Sequence, residues 1–448
     1  MPWMDLHALV LARAGDQVAA LLRREVSAGE LLEAQLERLQ QVDARVHAVV
    51  HLDREGARKA ALAADARLAR GEPVGPLHGV GVSIKDWIDV AGLPCSGGLA
   101  EHRSRRPALE ATAVTRLRRA GAVVLAKTNP AEVSEVAGAT FNPHDLRRTP
   151  TGSSAGDAAL VAGGGAALGL GSDSGGSLRQ PAHACGVCAL RPSNGRVPLT
   201  GHFPTITPLL DPRTVIGPLA RSVADLELVL RTLEGPDGSD PSAVPMRLQR
   251  ATDVDVSALR VAWWVEQPDC SPTRETDRVV RDAVGWLAAA GATLVEDRPE
   301  GLEAVYPLTR TYWSLPESAS PDHWLPTGTC DLDSAQVQRF RFEWDRFRSR
   351  LTRFLSAYDA VVTPAAERPA VLHGQPTGSI APTLTFSLSG QPAVVVPCGR
   401  SGEGLPIGVQ LAAPLGHDHV ALALAAVLER AGGGWWLPQA LDAPAPAP

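Results

Sequence analysis

The chain predicts an α/β protein with helices on both faces of a largely parallel sheet. Short apolar runs such as GAVVLAK (121–127) have strand character, and amphipathic stretches of helical period alternate with them. Glycine and proline punctuate the junctions.

In chain order, residues 16–42 read as two amphipathic helices, the second opened by a capping box of Ser27 and Glu30 before LLEAQLERLQ. From Gly79 the run GVGVSIKDWIDV is strand-like, with Lys85 near its end and Gly92, Pro94, Gly97 and Gly98 breaking the chain beyond it. A helix at 110–120 leads to the buried strand 121–127. There follow a helix at 155–163, an apolar segment at 166–171, a helix at 222–233, a strand at 259–265, a helix at 275–290 and a strand at 292–297. Loops are expected at 235–247 and 315–335, then an Arg- and Phe-rich helix at 336–357 and the strand AVVTP. AVVVPCG and PIGVQLAAP are the last strands and 418–431 the last helix, and the APAPAP tail (443–448) reads as disordered.

A chain of 448 residues, 44% apolar and 21% charged, is that of a globular protein able to bury a large core. Its net charge of −6 leaves no basic footprint for nucleic acid or an anionic membrane. The N-terminal MPWMDLHALVLARAGD lacks the basic region and cleavage site of a signal peptide, and no apolar run approaches a membrane span of about 18 residues, so a cytoplasmic protein is expected. The six cysteines, the Cys185-x-x-Cys188 pair included, show no disulfide or zinc spacing and read as buried thiols. His417-x-His419 has no third ligand nearby and reads as a surface helix start, so no metal is expected. Only Lys59, Lys85 and Lys127 among the 43 basic residues are lysine, so a lysine retained in an arginine-rich chain is a candidate for chemistry arginine cannot do.

Glycine and serine concentrate at two points of TPTGSSAGDAALVAGGGAALGLGSDSGGSLRQP (149–181). None of the lysines stands in a Gly-Lys-Ser/Thr setting, which excludes a Walker A loop, and the glycine spacing fails GxGxxG. Gly152-Ser153-Ser154-Ala155-Gly156 formally matches a GxSxG nucleophile elbow, but FNPHDLRRTPT before it cannot be the buried strand that an elbow needs.

GVSIKD at Lys85, AKTN (126–129), GSSAG (152–156), GSDSGGSLRQPA (171–182), CGVCALRPSNGRV (185–197) and GPLARSVAD (217–225) occur in the order seen in amidase signature enzymes, which the chain resembles. SGQPAVVVPCG (389–399) and GLPIGVQLAAP (404–414) are similar to that family too, whereas the intervening region matches weakly. Ser177 follows Ser153 by 24 residues, the separation of the family's two catalytic serines. The resemblance implies a large mixed, mostly parallel sheet flanked by helices and a Ser-Ser-Lys triad: Ser177 as nucleophile, Ser153 as bridging serine on a cis peptide bond, and Lys85 as base. It puts the oxyanion hole at the N–H groups of Ser174, Gly175, Gly176 and Ser177, and bracing roles at Asp173, Arg179 and Lys127. One domain is expected over 1–442, divided into a helical lead-in (1–75), a catalytic core (76–235), a variable substrate-facing region (236–376) and C-terminal strands and helix (377–434). Gly152, Ser154, Tyr306, Arg310 and Trp313 are the expected substrate contacts, with Tyr312 and Trp324 in the same aromatic cluster.

The chemistry accounts for these residue types. A serine attacks an amide only if a base takes its proton, and lysine is a base only when burial and neighbouring dipoles lower its pKa from about 10.4. Arginine cannot be lowered so far. Gly175 and Gly176 let backbone N–H groups converge on a developing oxyanion, where one donor is worth about 3 kcal/mol.

Where the family usually has GGSSGGS, this chain has Thr151, Ala155 and Asp157 as departures, and Ser174 replaces a common Thr or Ile. Asp157 reads as a cap of the following helix. The leading expectation is a stand-alone amidohydrolase acting on a small-molecule amide, without cofactor, with a homodimer as a possible state. The alternatives are the glutaminase component of a tRNA-dependent amidotransferase, an esterase, and a non-catalytic homologue, the last disfavoured because all three triad positions are intact.

Overall fold

The computed structural model describes residues 5–206, 211–314 and 332–441. Its helices are α1 (Leu6–Leu11), α2 (Ala14–Leu22), α3 (Ala28–Val46), α4 (Arg54–Ala69), α5 (Thr112–Arg119), α6 (Ala155–Ala162), α7 (Arg179–Cys185), α8 (Val223–Leu233), α9 (Arg274–Ala289), α10 (Val305–Ser314), α11 (Ser334–Leu355), α12 (Ala381–Ser389) and α13 (Asp418–Ala431). The strands are β1 (Val49–Leu52), β2 (Gly81–Lys85), β3 (Val123–Thr128), β4 (Val133–Ser134), β5 (Gly138–Ala139), β6 (Leu168–Asp173), β7 (Cys188–Arg191), β8 (Val215–Ala220), β9 (Arg260–Trp263), β10 (Thr293–Glu296), β11 (Ala360–Pro364), β12 (Ala393–Arg400) and β13 (Pro406–Ala412).

Eleven strands form one sheet in the order β1-β3-β2-β6-β8-β7-β12-β13-β11-β9-β10, while β4 and β5 make a separate ribbon. The α/β class is as expected and the sheet is mixed, but the expectation that it is mostly parallel needs correction. Only β3–β2, β2–β6, β11–β9 and β9–β10 pair in parallel, and the other neighbours are antiparallel. Part of the cause is local: β12 and β13 are joined by residues 401–405, too short a connection for anything but an antiparallel pair. Alternation of strands and helices along the sequence does not reveal this.

Side-chain alternation along the strands feeds a core on each face. Val82 and Ile84 of β2, Leu168 and Leu170 of β6 and Ile407, Val409 and Leu411 of β13 share a core with residues of α5, α8, α9 and α13. Val123 and Leu125 of β3 join α3, α4, α6 and α7 in the second. A third cluster gathers α10, α11 and α12 around Phe340, Trp344, Phe347 and Phe386. Each fully buried aliphatic or aromatic side chain contributes about 1.5–3 kcal/mol, so these layers hold the strand ends rigid.

The Ser27–Glu30 capping box forms as read, with the Ser27 side chain accepting from Glu30 N–H and the Glu30 carboxylate from Ser27 N–H. Helix α13 has the expected limits. Helices α1, α4, α7, α10 and α12 and strands β1, β4, β5, β7 and β8 were not foreseen. Helix α7 carries Pro181 and α12 carries Pro382, and a proline in the first turn is tolerated because the N–H it removes has no partner within the helix. Cys95, Cys185, Cys188, Cys270 and Cys398 are buried and unpaired by disulfides, as read from the sequence. His419 is buried rather than on the surface. Trp324, Cys330, the APAPAP tail and most of the expected 315–335 loop lie outside the described residues. No described helix is long and apolar enough to cross a membrane.

Candidate active site

Strand β2 ends at Lys85, the turn before α6 carries Ser153, and the turn between β6 and α7 carries Ser177. Strands β2 and β6 are parallel neighbours, so their C-terminal ends and the loops beyond them emerge together. A Cβ built on Gly171 of β6 would lie 2.5 Å from Ser154 Oγ, so glycine there lets the turn before α6 press against the sheet. Ser154 N–H donates to Ser177 O at 3.0 Å, a backbone tie between the two serine-bearing turns.

Lys85 Nζ lies 2.6 Å from Ser153 Oγ, 3.3 Å from Ser172 Oγ and 3.4 Å from Ser172 O, with the Trp87 ring centroid 4.2 Å away. The lysine is fully buried. Burial pushes its pKa down from 10.5 to about 7, against the pull of Asp157 and then Asp173. The Gly152–Ser153 peptide bond is cis, as the resemblance implies. Ser153, Ser177, Gly152 and the 174–176 turn line a cavity of about 370 Å³. Trp87, Glu132, Thr151, Arg213, Trp313 and Ile380 form other parts of its wall.

Asp173 organises the nucleophile turn. Its Oδ1 accepts from Gly176 N–H at 2.8 Å and its Oδ2 from Leu178 N–H at 3.1 Å. Arg179 reaches both oxygens, Nη2 to Oδ1 at 2.9 Å and Nε to Oδ2 at 3.0 Å, and Arg191 Nη1 donates to Asp173 O at 2.7 Å. Burial opposes the charge on Asp173, but the two guanidiniums and backbone donors outweigh it and hold the carboxyl well below the usual range. Gly176 has φ 129°, and a Cβ there would lie 2.4 Å from Thr383 Oγ1, so only glycine fits. Because Gly176 N–H is directed at Asp173, it is not among the N–H groups of this turn left without a partner.

Lys127 is fully buried, donates to Ile88 O at 2.5 Å and pairs with Asp86 at 3.3 Å. It therefore fixes the backbone just beyond Lys85. Ser154 is fully buried with Oγ donating to Ser172 O at 3.3 Å, and it is not among the described residues lining the cavity. Tyr306 and Arg310 are also absent from that lining. The Tyr306 hydroxyl accepts from Ile380 N–H at 3.0 Å, while Arg310 is exposed beside the Tyr306 ring. Of the expected substrate contacts, Gly152 and Trp313 meet the cavity.

The four departures have separate accounts. Thr151 sits at φ 59°, a left-handed conformation costly for a β-branched residue and met without strain by the glycine usual there. Ala155, the first residue of α6, is fully buried in the position where the family usually has glycine. The Ser174 hydroxyl bonds to Thr214, which in turn bonds to Asp211. Asp157 does not cap α6 by its side chain. It is fully buried in the first turn, its Oδ1 accepts from Ser83 Oγ of β2 at 2.7 Å, and its Oδ2 has no hydrogen-bond partner among the described residues. Burial raises its pKa to about 6, against the hydrogen bond from Ser83, the neighbouring Thr128 hydroxyl and the charges of Lys85 and Lys127. The capping expectation fails because α6 lies flat on the sheet, so this turn faces β2 rather than water.

Sequence reasoning missed Ser172, His202 and Arg213. Ser172 lies inside a quoted motif with nothing to single it out. His202 lies in a loop and reaches the site only through tertiary packing. Arg213 lines the cavity with its guanidinium 3.6 Å from the Tyr312 ring centroid, so Tyr312 packs behind the wall rather than facing substrate.

Fold and site together define the class: an α/β protein with a buried lysine and a glycine-rich, serine-bearing turn at the C-terminal ends of two parallel strands, and a second serine-bearing turn tied to the first. The family model described as Amidase matches residues 30–325 and 322–422, and the chain belongs to this family of amidase signature enzymes, which act on carbon–nitrogen bonds. It is 33% identical over 493 residues to a glutamyl-tRNA(Gln) amidotransferase subunit of Salinispora arenicola (strain CNS-205), covering 96% of this chain and 98% of that protein. It is 35% identical over 468 residues to a Mycobacterium tuberculosis (strain ATCC 25618 / H37Rv) protein named "Putative amidase AmiB2", covering 96% and 98%. The X-ray structure of native peptide amidase from Stenotrophomonas maltophilia superposes with a TM-score of 0.84 at 26% identity, covering 98% of this chain and 99% of that one.

Proposed function

We propose that the protein is a stand-alone amidohydrolase that cleaves a small linear carboxylic amide through an acyl-enzyme on Ser177. The observation that carries this reading is the buried Lys85, its pKa near 7, bonded to Ser153 at 2.6 Å on the wall of the cavity that also holds Ser177. A lysine so placed is a base at neutral pH.

In this mechanism neutral Lys85 takes the proton of Ser153 as Ser153 takes that of Ser177, whose Oγ attacks the amide carbon. The oxyanion is received by backbone N–H groups of the 174–177 turn other than Gly176, whose N–H is held by Asp173. As the C–N bond breaks, Ser153 returns a proton to the leaving nitrogen and recovers one from Lys85, releasing ammonia or an amine. Water then attacks the acyl-enzyme with the same proton path, frees the acid and restores Ser177.

The test is amine release from a panel of aliphatic, aryl and carboxylate-bearing amides, with Ser177→Ala beside the wild type and phosphonate labelling mapped by mass spectrometry. Ser177→Ala should lose turnover and labelling together, by at least about 1,000-fold. A variant keeping a tenth of the wild-type rate would refute the assignment. The second reading, an ammonia-supplying component of a larger enzyme, is favoured by the full-length similarity to the Salinispora arenicola amidotransferase protein. It predicts glutamine hydrolysis that depends on added partner proteins, whereas the leading reading predicts turnover by the chain alone.

A further inference from the structure

We propose that His202 is a positioning residue that aims the lone pair of Lys85 at Ser153 through the hydroxyl of Ser172. This rests on the Ser-Ser-Lys reading and extends it to a residue outside the triad.

His202 is buried, with Nδ1 3.0 Å from Pro204 O and Nε2 3.2 Å from Ser172 Oγ. A carbonyl oxygen only accepts, so Nδ1 carries the ring proton. Burial pushes the His202 pKa down to about 4, aided by the charge of Lys85 and opposed by Pro204 O, Asp211 and Asp89, so the ring is neutral at neutral pH and Nε2 is an acceptor. The Ser172 hydroxyl proton therefore points at His202, and Ser172 Oγ turns its lone pairs to Lys85.

A neutral amine has two N–H donors and one lone pair. Among the described residues Lys85 Nζ has three hydrogen-bond partners: Ser172 O, which only accepts; Ser172 Oγ, which His202 makes an acceptor; and Ser153 Oγ. The two N–H groups go to Ser172, and the lone pair is left for the Ser153 proton, the one it must take. After proton transfer the ammonium has three donors for the same three oxygens, so nothing needs to reorient during turnover. Without His202 the Ser172 hydroxyl is free to donate to the lone pair and compete with Ser153.

The test is a double-mutant cycle of His202→Leu and Ser172→Ala, read as the pH-dependent rate at which a fluorophosphonate labels Ser177. His202→Leu should slow labelling about tenfold when Ser172 is present, the weight of one misdirected hydrogen bond, and have little effect in the Ser172→Ala background. His202→Gln, with an amide oxygen near the Nε2 position, should restore most of the rate. Equal losses from His202→Leu in both backgrounds would overturn the proposal, because a merely structural histidine does not depend on the Ser172 hydroxyl. The ring of wild-type His202, assigned by ¹⁵N-histidine NMR against His202→Gln, should be the Nδ1–H tautomer at pH 7, and an Nε2–H or charged ring overturns the relay. That reading needs no reaction, so a wild type that fails to label would count against Ser177 while the relay is still decided by its tautomer.

Discussion

Replacing Lys85 by Met should abolish activity and yet stabilise the fold at neutral pH. The native pKa is about 7 against 10.5 for the free side chain. Between these values the unfolded chain holds a proton that the native protein does not, so native stability rises with pH across that window. Measured against a permanently neutral side chain, the wild type is disfavoured by about 4 kcal/mol at pH 7 and about 2 kcal/mol at pH 9, at 1.36 kcal/mol per pKa unit. The lost hydrogen bonds to Ser153 and Ser172 return about 1 kcal/mol each, while the methionine thioether can pack on Trp87. The variant should therefore be about 2 kcal/mol more stable at pH 7 and close to wild type at pH 9. Urea denaturation followed by tryptophan fluorescence at both pH values measures this, and titrating groups not coupled to Lys85 cancel in the difference. A variant less stable at pH 7, or a difference that does not shrink by pH 9, would refute a lysine kept neutral by burial.

Other predictions concern the carboxylates. Asp157→Asn removes the largest influence raising the Lys85 pKa, so the acid limb of the pH–rate profile should move to lower pH, and an unmoved or alkaline-shifted limb would contradict this. Asp173→Asn leaves Arg179 and Arg191 buried without their carboxylate and should cost about 3–5 kcal/mol in urea denaturation, with a loss below 1 kcal/mol counting against its bracing role.

The sequence carries most of the element positions, because strand and helix periodicity and capping are local. Helices α7 and α12 are hidden by Pro181 and Pro382, and strand direction is hidden because pairing is a property of neighbours far apart in the chain. At the site, Lys85, Ser153 and Ser177 are legible through lysine scarcity, glycine clustering and motif order. Asp157 reads as a cap because its position in the first turn is all that the sequence displays. That the turn faces Ser83 across the sheet depends on a contact 74 residues away. Tyr306 and Arg310 are expected at the substrate because they lie in the variable region, yet the third core draws Tyr306 inward against Ile380 and leaves Arg310 in solvent.

The two buried carboxylates beside Lys85 are not equivalent. The charge of Asp173 is matched by two arginines and two backbone N–H groups, so most of its field is neutralised before it reaches the lysine. Among the described residues, Asp157 has one hydroxyl donor on Oδ1, no hydrogen-bond partner on Oδ2 and no ion pair, and it replaces a residue that is usually a neutral serine in the family. Its own pKa near 6 lies just below that of Lys85, so each group favours the charged form of the other. Protonating Asp157 on acidification lowers the Lys85 pKa and so helps keep the amine neutral, which blunts the loss of base as pH falls. A neutral residue at 157 leaves the Lys85 pKa lower throughout, so the amine stays neutral to lower pH and gains its proton over a narrower span, in keeping with the acid-limb shift expected of Asp157→Asn. In the proposed mechanism the departure from the family pattern therefore sets the acid end of the working pH range, by raising the pKa of the lysine proposed as base.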